Sequence, residues 1–159
     1  MLGVDPGLVG TGWAVLEPTT AAPLVVDTGV IETVASLPLA ARIHAIYDAI
    51  HAVLVKHAPD LMVLEDLYTE YRFPRTALLM AHARGVVCLA ARQRGVEIVT
   101  LAPAEVKRAV AANGAASKEQ IQHCVQRLFR LAELPRPSHV ADALALAFTG
   151  HLRTGGRVG

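Results

Sequence analysis

Leu61-Met62-Val63-Leu64-Glu65 decides the fold. Four apolar residues with no polar alternate are what a strand buried on both faces requires, and such strands belong to parallel sheet covered by helices. The flanking residues supply those helices. Upstream, Leu37–His57 sets Leu39, Ile43, Ile46, Ile50, Val53 and Leu54 at helical spacing and stops before Pro59. Downstream, beyond a loop, Arg75–Arg94 reads as a long helix and Val96–Leu101 as a further strand. Nearer the start, Leu2–Val4 ends at Asp5-Pro6-Gly7, and Thr11–Leu16 and Leu24–Thr33 are two more β-rich runs. These three runs read as strands joined by hairpins. Towards the end, Ala104–Ala112 is a short helix closed by Asn113-Gly114, and Ser117 with Gln120 forms a capping box for a helix to about Leu131. Pro135-Arg136-Pro137 breaks that helix, and Ser138 is placed to cap a last one ending near Arg153. Hairpins first and crossover helices later predict an α/β fold: one five-stranded mixed sheet with helices on both faces. Residues 1–153 are expected to form a single domain, with 154–159 a flexible tail.

Composition narrows the class. The 159 residues are 53% apolar and 18% charged, so the chain has surface to hide, and an oligomer interface is the natural place. No run approaches the ~18 consecutive apolar residues of a membrane span, and Met1-Leu2-Gly3-Val4-Asp5 has no secretory-signal pattern. Cys88 and Cys124 lie far apart in helix-like apolar patterns, without a CxxC pair, and read as reduced core residues of a cytoplasmic protein. A formal charge of +1 means that any nucleic-acid contact must rest on a local basic face.

Three carboxylates carry the chemistry. Asp5 closes the first strand and Glu65 the fourth. Each alone also fits a plainer role, Asp5 as part of an Asp-Pro-Gly turn and Glu65 as the point where a strand meets water. Asp142 is harder to explain that way, because its helix, His139-Val140-Ala141-Asp142-Ala143-Leu144-Ala145-Leu146-Ala147-Phe148, is apolar nearly all round. A lone carboxylate in such a helix is costly without a partner, and a cation is one such partner. His139, at i, i+3 to Asp142, shares its face; by itself it also fits a surface histidine in a first helical turn. Strand-end carboxylates of neighbouring parallel strands meet at one sheet edge, where open α/β sheets bind ligands. Clustered like charges require divalent cations, and oxygen ligands favour Mg²⁺ or Mn²⁺ over zinc.

Gly3-Val4-Asp5-Pro6-Gly7, Leu64-Glu65 and Ala141-Asp142-Ala143-Leu144-Ala145 together resemble the RuvC Holliday-junction resolvases. These are dimeric, RNase H-like nucleases of bacterial recombination. The resemblance runs from Gly3 to about His151. It implies that Asp5, Glu65 and Asp142 are catalytic, metal-binding acids, with His139 at a fourth position that the family fills with aspartate or histidine. Two ions per active site, Mg²⁺ or Mn²⁺, follow from it, with Asp5 shared between them. Lys107 and Lys118 match two lysines that the family places near the cleaved phosphate. The implied activity is symmetric hydrolysis of two phosphodiester bonds in a four-way junction, leaving 5′-phosphate and 3′-hydroxyl ends. The implied partners are a second copy of the chain and the RuvA–RuvB branch-migration helicase.

Other stretches suit branched DNA. Tyr68, Tyr71 and Phe73 are three of only seven aromatics, and Arg72 and Arg75 interleave with them. Rings beside cations on a loop fit stacking on unpaired bases and phosphate contact, although some of these rings also suit the core. Tyr68 aligns with an aromatic that resembling proteins direct towards the junction. Lys107, Arg108 and Lys118 extend a basic face, Lys118 at a helix N-terminus that already favours anions; each alone also reads as a solvated charge. Along Arg75–Arg94, Ala77, Ala81 and Gly85 form a row of small residues in an otherwise apolar helix, which predicts a two-fold dimer or else a central buried helix. Two rivals stand beside the nuclease. An actin-like nucleotide-binding protein conflicts with the Gly7-x-x-Gly10-x-Gly12 spacing and with the lack of a second lobe. A non-catalytic junction binder conflicts with the presence of all three acids.

Overall fold

The computed structural model describes residues 1–19, 22–66 and 74–155. Its strands are β1 (Leu2–Asp5), β2 (Gly10–Glu17), β3 (Leu24–Glu32), β4 (Leu61–Glu65) and β5 (Glu97–Leu101). Its helices are α1 (Leu39–His57), α2 (Pro74–Gln93), α3 (Pro103–Ala111), α4 (Lys118–Leu128) and α5 (Ser138–Arg153). The strands form one sheet in the order β3-β2-β1-β4-β5. β1, β2 and β3 pair antiparallel, whereas β4 runs parallel to both β1 and β5. The mixed sheet expected from the sequence is therefore observed.

Pleating sorts the core into two layers. Leu2, Val4, Val15, Met62 and Leu64 face one way and pack with Ile46, Ile50 and Leu54 of α1 and Ala83, Val87 and Ala90 of α2. Ala14, Leu16, Val63 and Leu101 face the other way, onto Val106 of α3, Ile121 and Val125 of α4, and Leu144 and Leu146 of α5. Both faces of β4 are thus covered, which is why its sequence has no polar alternate; each such fully buried side chain contributes roughly 1.5–3 kcal/mol. α5 is the helix most deeply set, with Val140, Ala141 and every residue from Ala143 to Ala147 buried. Phe148 turns an edge onto Phe129, just past the end of α4, at a ring separation of 6.0 Å.

Element ends differ from the sequence reading where the backbone has special needs. α1 starts at Leu39 rather than Leu37 because Pro38 is extended (ψ 145°), and it stops at Ala58, which turns left-handed ahead of Pro59. α4 ends at Leu128, short of Leu131, because Arg130 takes a positive φ of 52° and the chain turns there. Ser138 is not a cap. It is the first residue of α5, whose N-cap position is held by Pro137 with no side-chain bond. The Ser117–Gln120 capping box is present in both directions. Thr154 and Gly155, expected in a loose tail, are bonded back onto the last turn of α5 through Gly150 and Leu152; residues 156–159 lie outside the described residues. Cys88 and Cys124 are free thiols, half-buried rather than fully in the core. No helix among the described residues is long and apolar enough to cross a membrane.

Candidate metal centre

The site begins with register. β1 and β4 align Gly3 with Val63 and Val4 with Leu64, so one step further the strands place Asp5 beside Glu65. Alternation puts both on the face that carries Gly3 and Val63, towards α5. Glycines then set the distance of that helix. A Cβ on Gly3 would lie 2.2 Å from the Ala143 carbonyl oxygen, and one on Gly12 would lie 2.0 Å from that of His139. Only glycine lets the backbone of α5 rest directly on β1 and β2. At this spacing the first turn of α5 reaches the ends of the strands. His139 Nδ1 sits 2.7 Å from Asp5 Oδ2, and Asp142 follows on the same face.

Asp5, His139 and Asp142 present ligand atoms that all lie within 4.8 Å of one another. Glu65 stands outside that trio but lines the same cavity of about 520 Å³, as do Lys107 and Lys118. Lys118 Nζ is 3.7 Å from Asp142 Oδ2 on a largely exposed side chain. Burial, reinforced by the charges of Asp5 and Asp142, pushes the Glu65 carboxyl up to about 7. Burial and then Asp5 raise Asp142 as well, against the opposing pull of Lys118. The hydrogen bond to Asp5, opposed by burial, raises His139 above its ordinary value. Two carboxylates, Glu65 and Asp142, and the His139 imidazole thus hold protons more tightly than free side chains do. This is the state of a ligand set that a divalent cation relieves, so the residues fit a hard metal ion with oxygen and imidazole donors.

The loop after Asp5 is braced from beneath. Gly7 N–H donates to Thr11 Oγ1 at 3.3 Å, and that hydroxyl donates back to the Gly7 carbonyl at 2.8 Å. Buried Arg42 of α1 donates to the Leu8 carbonyl at 3.1 Å and to Thr33 Oγ1 at 2.8 Å. Arg84 of α2 donates to the Glu65 carbonyl at 2.6 Å and to Thr100 Oγ1 at 3.2 Å. Sequence reading found neither arginine as a site residue. It weighed Gly10 and Gly12 only against phosphate-loop spacing, whereas they are where His139 packs. Of the expected DNA contacts, Arg75 is exposed in the first turn of α2, beside the cavity-lining Thr76. Tyr68, Arg72 and Phe73 lie outside the described residues.

Residues 1–151 match a family model described as crossover junction endodeoxyribonuclease RuvC. A RuvC of Rhodopirellula baltica is 43% identical over 151 residues, covering 95% of this chain and 85% of that relative. A RuvC of Gloeobacter violaceus is likewise 43% identical over 151 residues, covering 94% and 86%. Among solved structures, T. thermophilus RuvC in complex with Holliday junction substrate superposes with a TM-score of 0.88 at 33% identity, covering 98% of this chain and 95% of that one. The Fowlpox virus resolvase bound to its substrate junction, at a TM-score of 0.57 and 10% identity, shares the fold alone.

Proposed function

This chain belongs to the RuvC family of crossover junction endodeoxyribonucleases, and from that membership we propose how its residues do the work. It is a metal-dependent endonuclease of RNase H-like fold that resolves four-way DNA junctions. The observation that carries the site reading is the meeting of Asp5, His139 and Asp142 within 4.8 Å, with Glu65 in the same cavity.

In this reading Asp5, Glu65, His139 and Asp142 would hold two divalent ions, Mg²⁺ or Mn²⁺. Such ions, when bound, polarise a phosphodiester oxygen and acidify a water at neutral pH. The remaining work belongs to the chain. Asp5 would serve both ions, standing between Glu65 at the neighbouring strand end and His139 at the start of α5. Its hydrogen bond to His139 Nδ1 holds the imidazole in place, where His139 would serve as a further ligand. Glu65 and Asp142 complete the donor set. Lys118, beside Asp142 and at the capped start of α4, offers its ammonium to charge developing on the phosphate. Lys107 lines the cavity and binds the backbone of the DNA. Tyr68, Arg72, Phe73 and Arg75 meet the junction near its centre, where base faces are exposed. Water attacks in line, leaving 5′-phosphate and 3′-hydroxyl ends.

Two copies make the two symmetric cuts, and residues 1–153 constitute one nuclease domain that works in the cytoplasm with the RuvA–RuvB helicase. The deciding experiment compares a synthetic four-way junction with matched duplex, each with Mg²⁺, with Mn²⁺ and with neither. Paired nicks near the branch point, only with metal, are expected; equal cutting of duplex overturns the reading.

A further inference from the structure

We propose that Arg84 is a positioning residue for Glu65, and that it sets the affinity of the centre for its metal without touching metal or DNA. This rests on Glu65 being a ligand. Glu65 is the last residue of β4, where the strand pairing that fixes the backbone ends. Past it, the Asp66 amide reaches the Leu101 carbonyl at 2.8 Å, which anchors one side. The Glu65 carbonyl receives its bond from Arg84 instead, at 2.6 Å, from a helix 19 residues further along the chain. The same guanidinium bonds Thr100 Oγ1 at 3.2 Å, so β4 and β5 are spanned by one planar, pre-organised fork.

Charge compensation of the carboxylate does not explain this arginine. The cations that pull the Glu65 carboxyl down are Lys118 and Lys107, across the cavity, and Arg84 is not among them. Its bond goes to the main chain, and what it controls is the direction in which the Glu65 Cα–Cβ bond leaves the strand end. The inner neighbours of Arg84 on α2, Ala83 and Val87, are fully buried, so the helix that carries the fork is itself fixed to the core. Partners that orient a metal ligand are typically worth ~10–100-fold in metal affinity or activity.

The test uses the full chain and two deciding readouts, Mn²⁺ binding to DNA-free protein by calorimetry and single-turnover junction cleavage at saturating enzyme, with junction Kd and melting temperature measured beside them. For Arg84→Met we expect Mn²⁺ binding weakened by ~10-fold and cleavage slowed at least as much, with the junction Kd within about twofold of wild type. Arg84→Lys, which keeps one donor and the charge, is expected to lie between the two. Arg92→Met, on the exposed last turn of the same helix, serves as a control for loss of charge and is expected to match wild type. A purely structural role would lower the melting temperature and the active fraction, and leave the Mn²⁺ affinity of the folded protein unchanged. That result overturns the inference, as does Arg84→Met matching wild type in both readouts. Where Arg84→Met does not fold, Arg84→Lys decides by the same two measurements. Failure of wild type itself to cut junctions is a different outcome, which removes the nuclease reading and not this contact.

Discussion

At the scale of single residues, the centre is a negotiation between protons and metal. Asp5→Asn removes the proposed shared ligand while keeping its size, so junction cleavage is expected to fall by a factor of at least ~10³ with junction binding retained. A gel assay for cutting beside a mobility-shift assay for binding checks both halves, and cutting that persists removes Asp5 from the mechanism. Glu65 must be ionised to serve as a ligand, and its carboxyl holds a proton up to about pH 7. The Mg²⁺ concentration for half-maximal cleavage is therefore expected to rise as pH falls below 7, and a flat dependence from pH 6 to 8 contradicts the placement of Glu65. Asp5, Glu65 and Asp142 are legible in sequence because each ends or interrupts an apolar run, where a charge has to be explained. Arg42 and Arg84 are not, because an arginine in a helix looks the same whether it lies on the surface or reaches back to a main-chain carbonyl.

Between elements, the decisive contact is α5 on the β1–β2 hairpin. Gly12→Ala puts a methyl 2.0 Å from the His139 carbonyl oxygen, a collision with backbone that only movement of the helix relieves. A loss of about 2–4 kcal/mol is expected, together with weaker Mn²⁺ binding, since the movement carries His139 away from Asp5. Denaturant melts and calorimetry read the two effects; a variant as stable as wild type shows that the helix does not sit so close. Strand and helix order is readable from hydrophobic period, because burial on both faces of β4 and the amphipathic spacing of α1 leave direct traces. Close approach leaves only glycines, and a glycine written beside a turn looks like part of the turn. The start of α5 illustrates the same limit. Serine after Pro-Arg-Pro has the identity of a cap, yet the proline ahead of it takes the position.

For the whole molecule, linkage fixes how the metal-free protein responds to pH. The Glu65 carboxyl, raised from an ordinary 4.5 to about 7, binds its proton more tightly folded than unfolded. Its contribution is therefore fully present below pH 4.5 and is lost as pH rises through 7, a cost of about 3 kcal/mol. Asp142 and His139, both raised, act in the same direction. Metal-free protein is thus expected to lose stability between pH 5 and 8, and Mg²⁺ is expected to restore it more at pH 8 than at pH 5. Thermal melts with and without the ion settle the matter, and a metal-free optimum at pH 8 contradicts it. Assembly belongs to this scale too. Leu78, Ala81, Gly85 and Leu89 leave an open apolar face on α2, with nothing among the described residues within 4 Å of the Cβ position of Gly85. Sedimentation is expected to show a dimer at micromolar concentration, and substitution of Leu78 and Leu89 by glutamate to give monomers.

The bond between Asp5 and His139 joins residues 134 apart in sequence. The intervening residues must all be synthesised before α5 can dock on β1, and until then Asp5 has neither His139 nor Asp142 to meet. A nascent chain that stops short of α5 consequently lacks the assembled acid–imidazole cluster, and the order of the elements alone keeps that cluster from forming early.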